Sequence, residues 1–291
     1  MTWSFIPREQ AQLFGGGADA LELANPISTE MSSMRPGLLP GLLAGAGRNR
    51  NRGHADLALF ELGQAYRGEA PSDQYLGVAG VRAGTAHLTG AGRHWDGAAP
   101  DVDVFDAKED VTALLVALGF DATKAQITRD APGWYHPGRS GTLRLGPKVV
   151  LAHFGEIHPK MLKTFDASGP LVAFEVFLDA LPPEKKKGRA KSALPQADLL
   201  PVRRDFAFVV GKGVAAGDVI RAASAADKAL IAGVTVFDVF EGGNLAAEGK
   251  KSLAIEVTLQ PLQTMTDQEI EAVSQKIIAE VKKATGGEIR S

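Results

Sequence analysis

Two side chains in the stretch FDVFEG, Phe237 to Gly242, could do recognition chemistry together. Asp238 and Phe240 lie two residues apart in an apolar run, a spacing that puts both on one face of a strand. A flat aromatic beside a carboxylate is what a nucleobase requires. The ring offers a stacking platform, and the carboxylate accepts from base N–H groups. Two neighbouring stretches add to the set. In VRRDFAFVV, Val202 to Val210, the side chains Phe206, Phe208 and Val210 alternate with Arg203, Asp205, Ala207 and Val209. In KKSLAIEVTLQ, Leu253, Ile255, Val257 and Leu259 alternate with Ser252, Ala254, Glu256 and Thr258. If the three strands adjoin, the small residues Ala207, Ser252 and Ala254 leave room above the backbone beside Phe240. Arg203, Arg204, Lys250 and Lys251 are then placed to rim the surface and meet phosphates. RNA is the expected target rather than DNA, because single-stranded loops present unstacked bases to sheets of this kind. The competing reading makes Phe240 an edge-strand aromatic packed under a loop.

Periodicity gives the elements that must position these residues. A small-residue helix is expected near Ala215–Ala229. Two alternating strands then read as a hairpin, with Thr235, Phe237 and Val239 facing inward on the first. Thr266 with Glu269 three residues on forms a capping box. Behind it comes the helical stripe Ile270, Val273, Ile277 and Val281, stopped by Gly286-Gly287. GEIRS is the last strand. The order is βαββαβ, a ferredoxin-like (RRM-like) arrangement with two helices on one face of a four-stranded antiparallel sheet.

No other constellation in the chain points to self-contained chemistry. His136 and His158 sit beside Pro and Gly, the mark of turns. There is no HExxH, no Ser-His-Asp arrangement, no P-loop and no GxGxxG, and Gly15–Gly17 lacks a strand–turn–helix context. Arg35 and the cluster Arg48, Arg50 and Arg52 could bind phosphate. The simpler reading makes them a basic loop facing a subunit or tRNA.

Length and composition bound the rest. At 291 residues the chain is long enough for two domains. No cysteine is present, which excludes disulfides and thiolate metal sites and fits a cytoplasmic location. No apolar run reaches the ~18 residues of a membrane span, so no membrane partner is expected. The formal charge of −2 provides no global positive field, so any RNA contact must come from a local patch. The five basic residues of LPPEKKKGRAKSAL, Leu181 to Leu194, read as a solvated linker. Upstream of it, DAKEDVTALLVALGF, Asp106 to Phe120, reads as a helix with Asp106 and Glu109 as its box. The expected organisation is a domain over 1–183, a basic linker over 184–194 and the ferredoxin-like domain over 195–291, an α+β chain overall.

The motifs NPIS, MSSMRPGLLPGLL, NRNR, LALFELGQAY, DVFDAKEDVTALL, YHPGRSG, FGEIHP and FEVFLDAL resemble the synthetase-like domain of the bacterial phenylalanine–tRNA ligase beta subunit. PVRRDFAFVV, VFDVFEG, GKKSLAIEVTLQ and TMTDQEI resemble its ferredoxin-fold anticodon-binding domain. The resemblance covers almost the whole chain, in the family's order. It implies an aminoacyl-tRNA synthetase, an α2β2 ligase of protein biosynthesis that uses ATP and Mg2+ to join phenylalanine to its tRNA. Catalysis would lie in the alpha subunit, and the first domain here would be a non-catalytic relative of the class II fold. It further implies that Ala207, Asp238, Phe240 and Ser252 contact the anticodon, Phe240 standing where tyrosine is more frequent. The arginine that class II cores carry on the LFELG strand is replaced by Glu61. No catalytic residue, metal ligand or cofactor site is therefore expected within the chain, which reads as a C-terminal piece of a longer subunit. A free-standing RNA-binding adapter built from the same two domains is the alternative.

Overall fold

The computed structural model describes residues 3–85, 100–183, 198–261 and 263–290; the linker expected over 184–194 lies outside them. The chain divides into two compact units, Met1–Lys186 and Lys187–Ser291.

In the first unit the order is β1 (Phe5–Ile6), α1 (Arg8–Leu13), β2 (Ser33–Met34), α2 (Leu39–Asn51), β3 (Leu57–Tyr66) and β4 (Gln74–Ala83). Then come α3 (Val104–Ala117), β5 (Gln126–Thr128), β6 (Tyr135–Leu145), β7 (Val149–Ile157), α4 (Pro159–Thr164) and β8 (Leu171–Phe177). Six of the strands form one antiparallel sheet in the order β3-β4-β8-β7-β6-β5. Both faces carry core. Leu39, Leu42 and Leu43 of α2 pack with Val81, Leu171 and Ala173 on one face. Val111 and Leu115 of α3 pack with Phe154, Val172 and Val176 on the other. The helix α3 starts one turn earlier than the Asp106–Glu109 box would place it. Asp103 is the cap, accepting from the backbone N–H groups of Phe105 and Asp106, and Asp106 returns the bond to Asp103 N–H. Both Asp–Asp and Asp–Glu spacings fit a capping box, and the helix takes the earlier one.

Arg48 and Arg50 lie in the last turn of α2, not in a loop, where cations complement the unpaired carbonyls. Arg35 is buried. Its Nη1 lies 2.5 Å from Glu61 Oε1 and its Nε donates to the Gln64 carbonyl at 2.9 Å. The LFELG strand therefore uses its carboxylate to hold a guanidinium inside the fold.

In the second unit the order is β9 (Val202–Gly211), α5 (Ala216–Ala225), β10 (Ile231–Phe240), α6 (Gly243–Ala247), β11 (Lys250–Leu259), α7 (Asp267–Thr285) and β12 (Glu288–Ile289). The sheet order is β10-β11-β9-β12, all antiparallel, which makes this a ferredoxin-like fold. The short α6 is an addition to the expected hairpin connection. The capping box of Thr266 and Glu269 starts α7, and Gly286 at φ 68° ends it, a left-handed conformation that glycine adopts without strain. Val219 and Ala223 of α5 with Ile270, Ile277 and Val281 of α7 cover Phe206, Phe208, Leu253 and Ile255. All of these sit on one face of the sheet. No helix among the described residues is long and apolar enough to cross a membrane.

Replacing Arg35 with Met should cost about 3–5 kcal/mol of stability, because it takes the guanidinium away from a buried carboxylate. The midpoint and slope of guanidinium unfolding measure this; a loss under about 1 kcal/mol would show that solvent reaches Glu61.

Candidate nucleic-acid interface

Cross-strand pairs in an antiparallel sheet share a face, so the register fixes what the side opposite α5 and α7 displays. One row across it reads Phe240, Ser252, Val209 and Glu288, and the next reads Asp238, Ala254 and Ala207. The four residues Ala207, Asp238, Phe240 and Ser252 thus fall within two adjacent rows on three adjacent strands. At roughly 4.8 Å between strands the patch is about the size of one base and its sugar.

Simple alternation does not produce this arrangement. The strand β10 carries a bulge: Val236 pairs with Ile255, while Asp238 pairs with Ala254, leaving Phe237 as the extra residue. Before the bulge the inward residues are Val234 and Val236, packed against the core, and Thr235 stands opposite Glu256 on the open face. The expected inward set of Thr235, Phe237 and Val239 is thus corrected at two positions. Thr235 faces outward, and Phe237 is 58% exposed in the bulge. The inserted residue then resets the phase, and Asp238 and Phe240 arrive on the open face.

Phe240 keeps 43% of its surface exposed, and its ring folds back toward the backbone of Gly242. A Cβ at Gly242 would stand only 3.0 Å from Phe240 Cζ, so a larger residue there would push the ring aside by a few tenths of an ångström. Arg290 is a neighbour that local patterning does not single out. Its backbone N–H donates to the Ala207 carbonyl at 2.7 Å, and its guanidinium carbon lies 5.5 Å from the Phe240 ring centre, a cation–π contact. Its side chain therefore crosses β9 and β11 over the open face. Ser252, on that face and across the ladder from Phe240, is only 4% exposed. GEIRS reads as a strand from the sequence, but without the register nothing marks its arginine as a neighbour of Phe240.

The register divides the four rim cations. Arg203 pairs with Thr258 and lies 3.5 Å from Glu256, and Lys250 lies 2.8 Å from Glu248; both belong to the open face. That carboxylate raises the pKa of Lys250. Arg204 pairs with Val257, and Lys251 pairs with Val210, which puts both on the helix-bearing side. Arg203 and Lys250 flank the patch from opposite ends.

In the first unit Glu61, at the position where the resemblance implies no phosphate-binding arginine, is paired with the buried Arg35. Among the described residues no group of three His, Asp or Glu could hold a metal ion.

Comparison with known proteins gives consistent matches along the chain. The family model described as phenylalanyl tRNA synthetase beta chain CLM domain matches residues 1–178. The one described as ferredoxin-fold anticodon binding domain matches residues 198–290. The phenylalanine–tRNA ligase beta subunit of Bradyrhizobium diazoefficiens is 53% identical over 100% of this chain and 36% of its own length. That of Brucella suis is 54% identical over 100% of this chain and 36% of its own length. The chain spans about a third of the length of the curated relatives it matches. A solved structure, of Desulfitobacterium hafniense PylSc, a pyrrolysyl tRNA synthetase, has a TM-score of 0.43 at 15% identity, covering 62% of this chain and 59% of that one.

Proposed function

The chain belongs to the phenylalanyl tRNA synthetase beta chain family, and on that premise we propose that it serves the ATP-dependent joining of phenylalanine to its tRNA by holding the anticodon arm. The observation that carries the reading is the two-row patch. Phe240 and Asp238 are brought to one face by the bulge, small side chains lie beside them, and among the described residues α5 and α7 both pack on the opposite face. A base would stack on Phe240 and meet the carboxylate of Asp238 and the hydroxyl of Ser252. The backbone near Ala207 would receive the rest of the nucleotide. Arg290 would leave the ring or close over the base from its other side. Phenylalanine in place of a tyrosine retains the platform and gives up a phenolic hydrogen bond.

In this reading ATP and Mg2+ serve a catalytic alpha subunit, and the two kinds of chain assemble as α2β2 in the cytoplasm. The first unit supports such a partner with an uncovered apolar surface. α3 covers β7 and β8, but on the same face of the edge strand β3 Phe60 and Leu62 are 78% and 59% exposed. Apolar residues of that size on a long sheet edge mark an interaction surface. The comparisons add no support for a free-standing RNA-binding adapter.

Three outcomes are expected. Phe240→Ala should weaken binding of the tRNA anticodon stem-loop by about 1–3 kcal/mol, read by fluorescence anisotropy, with the fold intact by circular dichroism. Equal affinity in a folded variant would reduce Phe240 to packing. Arg203→Ala with Lys250→Ala should flatten the slope of log affinity against log salt by about 1.4, at ~0.7 per phosphate contact, whereas Arg204→Ala with Lys251→Ala should change it little. The reverse ranking would place the RNA on the helix-bearing side. Phe60→Asp with Leu62→Asp should abolish co-purification with the alpha subunit and leave the melting temperature unchanged; retention of the complex would move the subunit contact elsewhere.

A further inference from the structure

The first unit has a partly open cavity of about 360 Å³ on the face of the sheet that carries α2. Its floor is unusual in holding a carboxyl group. Glu175 of β8, 7% exposed, lies opposite His153 of β7 and Ala79 of β4. One of its oxygens is satisfied: Oε2 accepts from Trp134 Nε1 at 3.1 Å and from the Tyr135 hydroxyl at 3.2 Å. Among the described residues no donor meets Oε1. That oxygen faces Gly37, where a Cβ would stand 3.1 Å away. A buried carboxyl with one oxygen fixed by two donors and the other turned to a glycine at the wall of a cavity is a group held ready for a ligand.

The walls narrow the class of ligand. Phe14 and Trp134 pack at 5.3 Å between ring centres, and Tyr75 and Phe177 at 5.5 Å. Tyr75 is held in place by donating its hydroxyl to the Pro36 carbonyl at 2.7 Å. Aromatic faces attract cations and flat apolar bodies, and a buried carboxylate is stabilised by a cation that donates to it. Beyond the anticodon reading, we infer that this cavity is a binding site for a small organic ammonium on a flat apolar body, with Glu175 Oε1 as the acceptor.

The charged and titratable groups around Glu175 agree with a cation rather than an anion. His153, whose Nδ1 is 2.9 Å from Thr142 Oγ1, is held down to about 4 by burial and so is neutral at physiological pH. Tyr75 and Tyr135 are both pushed upward, chiefly by burial and then by Glu175, and stay neutral. Arg35 pairs with Glu61, and Arg67, which also lines the cavity, already stacks 4.3 Å over Tyr75 and 5.5 Å over Phe177, so the Phe14–Trp134 pair is the aromatic wall left for a ligand. Burial pushes Glu175 up to about 7, against the pull of its two donors. Because the cation binds the carboxylate form, affinity must rise with pH through that value and level off above it.

The test is calorimetric titration of the chain with 2-phenylethylamine, whose ammonium persists over the range used, and with its neutral isostere 2-phenylethanol. Amine affinity should rise about tenfold between about pH 6 and about pH 8. Glu175→Gln, which keeps an oxygen for Trp134 and Tyr135, should weaken the amine at least about tenfold at the upper pH and remove the pH dependence, leaving the alcohol unchanged. Gly37→Ala retains the carboxyl but crowds Oε1, and should weaken the amine even if the glutamine variant does not fold. Three results would overturn the inference: no saturable amine binding by about 10 mM, equal binding of the alcohol, or an unchanged pH profile in Glu175→Gln. None of them touches the anticodon reading, which concerns the other unit.

Discussion

Side chains of a strand alternate strictly between two faces, and the open face of the second unit depends on breaking that rule at Phe237. The apolar positions of β10 are in phase with the helices up to Val236. Had the alternation continued, Asp238 would have been driven under α5 and α7, and a carboxylate without a partner there would cost several kcal/mol. One inserted residue, Phe237, moves Asp238 and Phe240 to the open side and sends Val239 to stand opposite Leu253. A bulge raises local twist and re-aims the side chains beyond it, at no cost to the ladder on either side. Everything attributed to the open face, from the Ser252 hydroxyl beneath the ring to the Arg290 contact above it, is arranged around that single offset.

The sequence is informative where one periodicity dominates. The βαββαβ order, the Thr266 capping box, the Gly286 stop and the inward set Phe206, Phe208 and Val210 all derive from local rules. Where two local patterns compete, the prediction slips. Asp103 and Asp106 offer overlapping caps, and only packing of Val111 and Leu115 decides between them. On β10 the expected phase puts Thr235 inward, even though it puts Asp238 and Phe240 on the open face, because a bulge leaves little trace in composition. The roles of Arg290, Arg204 and Lys251 depend on which residue lies across the strand, a non-local fact. The Arg35–Glu61 pair is of the same kind. Its partners are far apart in the chain, and a phosphate-binding arginine and a buried structural one look alike in sequence.

The first unit holds two interior carboxylates in different ways. On β3, Glu61 meets the guanidinium of Arg35, which turns inward to it. Glu175, by contrast, is kept deep in the sheet with hydrogen bonds to only one oxygen. Burying a carboxyl in this way is unfavourable unless something else compensates. The first arrangement is a closed pair, and the second leaves a valence open toward the cavity.

The sheet borders formed by β10 and β3 differ in one respect. The border formed by β10 is irregular twice, between Ile231 and Gly233 and again at Phe237, whereas β3 runs ten residues beside β4 without interruption. A kinked border is a poor template for a further strand, so the second unit is protected against sticking to copies of itself along β10. The straight border of β3, greasy and unbroken, has no such protection. Left bare during synthesis it is a nucleus for misassembly, which argues for its being capped early and kept capped for the life of the protein.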